Sequence, residues 1–308
     1  MPDELIDYIF EICEKTGPRI TGSQGEAKTS EYLKEKLEPL SDEMAVDEFF
    51  KCRPYALQGL IIFEFVGILL GFILYFVHPF LATTVIVSTF IIAFLTRMRG
   101  MGVIDILLKS RISGNVIAII KPNGTPKRRV IFSGHHDSAF YMPLFAKHKD
   151  RLSVIQNIPV ITAIIFAVIA SLKTFWYNLD MIPLFGTIRT SIARLVHIDL
   201  TPFYLPIEIF TVIIGLISVV SISYFTFNMV TRRPILGAND NLSALAVILG
   251  IAQKVSKDPP ENTEVWLVSF GAEEPAMLGS KAFSKGTKES QMAHTWLIWK
   301  QLVKAGLE

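Results

Sequence analysis

The sequence predicts an α/β domain interrupted by two transmembrane helical hairpins. Three observations lead there. Strand-like and helix-like stretches alternate through residues 1–56, 100–150 and 232–308, long apolar runs separate these segments, and three polar clusters fall where a strand ends or a helix begins. Alternating strands and helices pack as α/β layers. In such layers ligands bind beyond the carboxyl ends of the strands.

Along the first segment, Leu5, Ile9 and Ile12 share one helical face and Gly17 closes that helix. Ser23 and Glu26 form a capping-box pattern ahead of a helix through Tyr32, Leu33 and Leu37. The acidic start, Met1-Pro2-Asp3-Glu4, has no charged region followed by an apolar core, so no signal peptide is expected.

The apolar runs come next. Gly59 to Val77 is interrupted only by Glu64, and Phe80 to Leu95 is uncharged. Leu152 to Leu172 carries Gln156 and Asn157, and Phe203 to Val230 carries Glu208 and Asn228. A helix needs ~20 residues to cross the ~30 Å of a bilayer's hydrocarbon core. His78-Pro79 allows only a tight re-entry, so residues 57–99 read as one hairpin and residues 151–231 as a second. In the connection of the second, Ile188, Ile192, Leu195 and Val196 recur at helical spacing, the pattern of a helix lying on a membrane surface. Glu64 and Glu208 are carboxylates inside apolar runs, and such groups are candidates for function, transport included.

Each hairpin crosses an even number of times, so 1–56, 100–150 and 232–308 are expected on one side of the bilayer. Lys51, Arg53, Arg97, Arg99, Lys147, Lys149, Arg151, Arg232 and Arg233 flank the runs on that side, against Lys173, Arg189 and Arg194 on the other. The positive-inside bias places the soluble segments in the cytoplasm. A multi-pass integral membrane protein is the expectation. Composition agrees: of 308 residues 51% are hydrophobic and 19% charged, with a mean hydropathy of +0.43. A net charge of +2 without a dense Lys/Arg block is too small to imply a nucleic-acid partner, and none is expected. Cys13 and Cys52 make neither a metal motif nor a disulfide framework.

In the later segments, Asn115 to Ile120, Val130 to Phe132 and Val265 to Phe270 read as strands, with Pro122-Asn123-Gly124 as a turn between the first two. Leu242, Leu245, Ala246, Leu249 and Ala252 mark an amphipathic helix after Asp240.

The polar clusters are Ser133-Gly134-His135-His136-Asp137-Ser138, Gly237-Ala238-Asn239-Asp240-Asn241 and Phe270-Gly271-Ala272-Glu273-Glu274. Zinc takes imidazole nitrogen and carboxylate oxygen, and a catalytic site keeps one position for water. Asp137 is spaced to accept the other N–H of His135, fixing its tautomer. Asp240 stands at a helix start, where an anion is favoured. Glu273 and Glu274 point to opposite sides of the chain, and Pro275 keeps Glu274 extended. Each cluster also has an ordinary reading: a surface His–Asp pair, a simple N-cap, and a solvated acidic face. His136 reads as a neighbour without a ligand role, and His148, His197 and His294 have no motif around them.

Taken together and in order, Gly134-His135-x-Asp137-Ser138, Gly237-Ala238-x-Asp240-Asn241-x-Ser243 and Ala272-Glu273-Glu274-x-x-x-Leu278-Gly279-Ser280 resemble the zinc aminopeptidase family M28. Gly17-Pro18-Arg19-x-x-Gly22-Ser23 and Asn115-Val116 extend the resemblance. It implies a peptidase-type mixed sheet flanked by helices and a site of two zinc ions. By matching position, His135 would bind one zinc, Asp240 would bridge both and Glu274 would bind the second. Glu273 would be the general base and Asp137 would orient His135. The implied substrates are peptide or protein N-termini, although some members act as carboxypeptidases or glutaminyl cyclases.

Two features depart from the pattern. Residues 139 to 236 separate His135 from Asp240, where the family keeps them close, so the membrane is expected to limit or orient substrate access. The family also supplies a further Asp and a later His, and no Asp follows Ser280 here. Residues 232–308 are therefore expected to be a truncated part of a longer reading frame. The alternative is a catalytically silent relative serving as a membrane scaffold or binding protein.

Overall fold

The computed structural model describes residues 2–45, 49–99, 108–181 and 201–286. In chain order the elements are helices α1 (Pro2–Thr16) and α2 (Gln24–Leu37), strands β1 (Glu43–Ala45) and β2 (Phe50–Cys52), and helices α3 (Ala56–Tyr75) and α4 (Pro79–Arg99). Strands β3 (Arg111–Ser113), β4 (Val116–Ile120) and β5 (Arg128–His135) follow, then helices α5 (Pro143–His148), α6 (Leu152–Met181) and α7 (Thr201–Met229). Helix α8 (Ser243–Val255), strand β6 (Thr263–Phe270) and helix α9 (Leu278–Gly286) complete the order. The surface helix expected around Ile188 to Val196 lies outside the described residues, as do His197 and His294.

These elements form two compact units, one of residues 1–57, 108–141 and 232–308, the other of 58–107 and 142–231. In the first, α1 ends as expected: Gly17 adopts φ +64° and donates its N–H to the Cys13 carbonyl at 3.0 Å. At the start of α2, Ser23 Oγ accepts the Glu26 N–H at 3.3 Å. The Glu26 carboxylate does not return to Ser23, as a capping box would have it; it accepts from Gly22 N–H instead.

The main sheet has the order β1-β4-β6-β5. It is mixed: β1 and β6 run antiparallel to β4, and β5 runs parallel to β6. The turn at Pro122-Asn123-Gly124 does not join neighbouring strands, because β6 lies between β4 and β5. Strand β5 is longer than the expected Val130 to Phe132, since it pairs with β6 along its whole length, from Arg128 opposite Thr263 to His135 opposite Phe270. Strands β2 and β3 form a separate antiparallel ribbon.

Both faces of the main sheet are covered, which is why β4 is buried at every position. Val116, Ala118, Ile120, Val265 and Leu267 pack with Ile12 of α1, Leu33 and Leu37 of α2, and Leu245, Leu249 and Ala252 of α8. The alternate residues Ile117, Ile119, Val268 and Phe270 pack against Phe283 of α9 on the other face.

The second unit is a helical bundle in which α3, α4, α6 and α7 are long and apolar enough to cross a membrane. Its core joins Ile61, Ile68 and Tyr75 to Ala82, Ile86, Phe166, Ala170, Ile222 and Phe225. Small residues set the spacing: a Cβ on Gly71 would lie 2.5 Å from Ile86 and one on Gly67 would meet Thr89, so the helices approach closely there. Ile62, Val66, Leu70 and Ile73 of α3, Ile91 and Phe94 of α4, and Ile213, Leu216 and Val220 of α7 are exposed. Glu64 and Glu208, within these helices, are paired. Glu64 holds Arg97 with two bonds of 2.6 and 3.0 Å. Glu208 pairs with Lys173 and accepts the Tyr75 hydroxyl at 2.7 Å.

Candidate metal centre

The parallel register of β5 and β6 puts His135 beside Phe270, so both strands end together and their following loops share one edge of the sheet. The His136 N–H continues the ladder to the Phe270 carbonyl at 2.9 Å. On either side of the inserted helical unit the chain is drawn together by a bridge between Phe140 and Pro234. That pairing brings the turn Ala238–Leu242 to the same edge.

Asp240 lies within that turn, three residues before α8, with a backbone of φ −121° and ψ 94°. The Asp240–Asn241 peptide is cis. Gly237 opens the turn at φ +59°, a conformation costly to any side chain. The helix cap is Leu242, without a side-chain capping bond, so Asp240 is not an N-cap. Its carboxylate instead stands 3.1 Å from His135 Nε2.

His135 is buried, with Nδ1 3.2 Å from the Asp137 carbonyl oxygen and 3.3 Å from Asp137 Oδ1. Glu273 Oε2 lies 3.8 Å from its Nε2. Burial opposes a charge on this imidazole, yet Asp137, Asp240 and Glu273 push its pKa up to about 10. Asp137 is fully buried; burial raises its pKa, but His135 and the Thr21 hydroxyl outweigh this and hold it below the usual range. Its two oxygens accept from Thr21 Oγ1 at 2.7 Å and from the N–H groups of Glu273 and Glu274 at 3.0 and 3.1 Å. Asp137 thus fixes the acidic loop as well as facing His135. Burial, then the charge of Asp137, raises Glu274 to about 7. Burial likewise raises Glu273, against the pull of His135.

His135, Asp240 and Glu273 therefore meet, with Asp137 behind them and Glu274 on the adjoining residue. The donors suit zinc. Two ligands at ~2.0–2.2 Å from a tetrahedral zinc are ~3.3 Å apart, close to the 3.1 Å between His135 Nε2 and Asp240 Oδ1. Among the described residues, however, no three His, Cys, Asp or Glu are arranged to hold one ion. His136 is buried, and Ser30 and Ser269 hydroxyls engage both its ring nitrogens at 2.9 and 2.8 Å. That leaves neither nitrogen for a metal.

Two residues here escaped sequence reasoning. Arg19 is wholly buried and donates to the carbonyls of His136 at 2.8 Å, Leu236 at 2.6 Å and Gly237 at 3.3 Å. It ties the end of β5 to the turn that carries Asp240. Asn115 brackets the acidic loop, accepting from Gly271 N–H at 3.2 Å and donating to the Gly279 carbonyl at 3.0 Å. The only sequence signal for either was its place in the family-like motifs.

Residues 218–303 match the model of peptidase family M28. That segment contains Asp240, Glu273 and Glu274, while His135 and Asp137 lie before the inserted unit. Among solved structures, the chain is similar to a glutaminyl cyclase from Fimbriiglobus ruber, at 17% identity and a TM-score of 0.42 over 100% of this chain. It is similar also to BSAP, a zinc aminopeptidase from Bacillus subtilis, at 12% identity and a TM-score of 0.41 over 93% of this chain. The chain spans 57% of the length of the cyclase and 65% of that of BSAP. No curated protein matches the chain.

Proposed function

We propose that this chain is a membrane-anchored, zinc-dependent peptidase of the aminopeptidase type, acting on peptide or protein N-termini. One observation carries the proposal: His135 and Asp240, on opposite sides of a helical insertion, meet at 3.1 Å with Glu273 at 3.8 Å from the same imidazole nitrogen. His135 and Asp240 would hold one zinc, and Asp240 and Glu274 a second. Bound zinc supplies a Lewis acid that polarises a peptide carbonyl and acidifies water. Glu273 takes the proton of the attacking water and returns it to the leaving amine; its raised pKa brings it closer to neutrality, where a general base works best. Asp137 keeps Nδ1 of His135 engaged, so that Nε2 faces the metal.

The four long apolar helices, with exposed apolar surfaces and internally paired carboxylates, support anchoring in a bilayer as a multi-pass protein. The basic flanks of the runs support a cytoplasmic soluble unit. Cleavage of that unit by protease added outside intact cells would overturn the orientation.

The full chain, purified in detergent and supplied with zinc, is expected to bind the metal and hydrolyse aminoacyl anilides. Hydrolysis untouched by chelators would sink the metal reading. A second reading, an inactive peptidase-like scaffold, is favoured by the lack of a three-ligand group among the described residues. A chain that retains no zinc through desalting would establish it.

A further inference from the structure

The loop carrying Glu273 and Glu274 presents three successive peptide N–H groups, and each meets a carboxylate oxygen. Ala272 donates to Glu26 Oε1 at 3.0 Å, Glu273 to Asp137 Oδ1 at 3.0 Å and Glu274 to Asp137 Oδ2 at 3.1 Å. Consecutive N–H groups of this kind form a concavity that receives an anion. Asp137 belongs to the metal edge. Glu26 comes from the first turn of α2, on the far side of the turn.

Glu26 is 3% exposed. Its other donors are the Ser113 hydroxyl at 2.9 Å on Oε1 and Gly22 N–H at 2.5 Å on Oε2. Gly22 and Ala272 can only donate here and the Ser113 hydroxyl donates as well, so an ionised carboxylate satisfies all three. Ala272 sits at φ +49°, a left-handed backbone that an alanine seldom adopts. The Glu26 bond on its N–H and the Leu278 N–H on its carbonyl, at 2.9 Å, hold it there.

We infer that Glu26 is a positioning residue: by accepting the Ala272 N–H it fixes the left-handed turn from which Glu273 and Glu274 project. It touches neither substrate nor metal. The hydrogen-bond geometry stands alone, and the catalytic consequence rests on the peptidase reading. Burial and the like charge of Asp137 raise Glu26 to about 7, against the pull of its donors.

The test is amide hydrogen exchange of the full chain in detergent without metal. In Glu26→Ala the acceptor of the Ala272 N–H is removed, and Ala272 is expected to exchange about tenfold faster, the factor for one lost hydrogen bond. Leu267 and Val268 of β6 should keep their rates. Zinc-loaded, the variant should retain its zinc content and its KM while kcat falls about tenfold. Unchanged exchange at Ala272 overturns the inference, and so does equal acceleration along β6, which would mark a general loss of stability. Faster exchange with unchanged kcat overturns the catalytic half. Should the alanine variant not fold, Glu26→Asp keeps the charge but is one methylene too short to span Gly22 and Ala272; faster exchange at Ala272 supports the inference and an unchanged rate overturns it. A parent chain without hydrolysis sinks the peptidase reading alone, because the exchange data still decide the role of Glu26.

Discussion

The carboxylates within the long apolar helices and those at the sheet edge are treated in opposite ways. In the helical unit, Glu64 has Arg97 and Glu208 has Lys173, and each charge is balanced within its bundle. At the sheet edge, Asp137, Asp240 and Glu273 crowd round one imidazole; among the described residues none of the three forms an ion pair with Lys or Arg. Paired charges in an apolar setting stabilise a structure at best modestly. Unbalanced ones create a field that draws in a cation. The first arrangement is a fastening and the second is an acidic cluster round one imidazole.

Four experiments press on that contrast. The largest effect is expected from Glu273→Gln, which removes a general base worth ~10²–10⁴ in rate; kcat for aminoacyl anilides should fall at least that far with zinc content unchanged. Full activity in this variant would remove Glu273 from the chemistry. Next, zinc at about 100 times its Kd should stabilise the parent by about 2.7 kcal/mol, and His135→Ala should lose most of this. Thermal unfolding with and without zinc reads the difference. Third, Glu64→Leu strands Arg97 and should destabilise by less than the ~3–5 kcal/mol of a fully buried pair, since the Arg97 side chain is 47% exposed. The double variant Glu64→Leu/Arg97→Leu should recover the loss and leave hydrolysis untouched; altered hydrolysis would mean that Glu64 is more than a fastening.

The smallest effect is on pH dependence. Glu26 is raised to about 7, so the folded chain holds this proton more tightly than the unfolded chain does. Its contribution to stability is present below the ordinary carboxylate range and is lost as pH rises towards 7. The urea midpoint should therefore fall between pH 5 and pH 7.5, and less steeply in Glu26→Gln. Asp137 faces Glu26 across the loop, Cys52 of β2 senses both charges, and Glu274 titrates in the same window. The slope should thus be reduced without vanishing. An unchanged slope would remove Glu26 from that balance.

Helices α1 and α8, strand β6 and the four apolar helices were legible because their signals are local: periodicity, length and a closing glycine. Strands β1, β2 and β3 were not, since three residues carry too little pattern. The insertion of β6 between β4 and β5 is a long-range choice that no window along the chain contains. At the site the residue types and their order were legible, while the departure of Asp240 from the helix cap was not. Arg19 shows the limit most clearly: its three acceptors lie 117 to 218 residues away, and one arginine in a loop announces none of them. Glu26 was half legible, as a partner of Ser23 whose carboxylate goes elsewhere.

The strand order also sets a timetable for synthesis. Strands β4 and β5 leave the ribosome with no neighbour between them, and the strand that joins them, Thr263–Phe270, emerges only after the two apolar helices α6 and α7 have been made. At ~5–20 residues per second that interval is roughly 6–25 s. Throughout it the unpaired edges of both strands are open to wrong partners. Slow elongation through α6 and α7 lengthens this exposure, so the rate of synthesis there bears on the yield of the sheet unit.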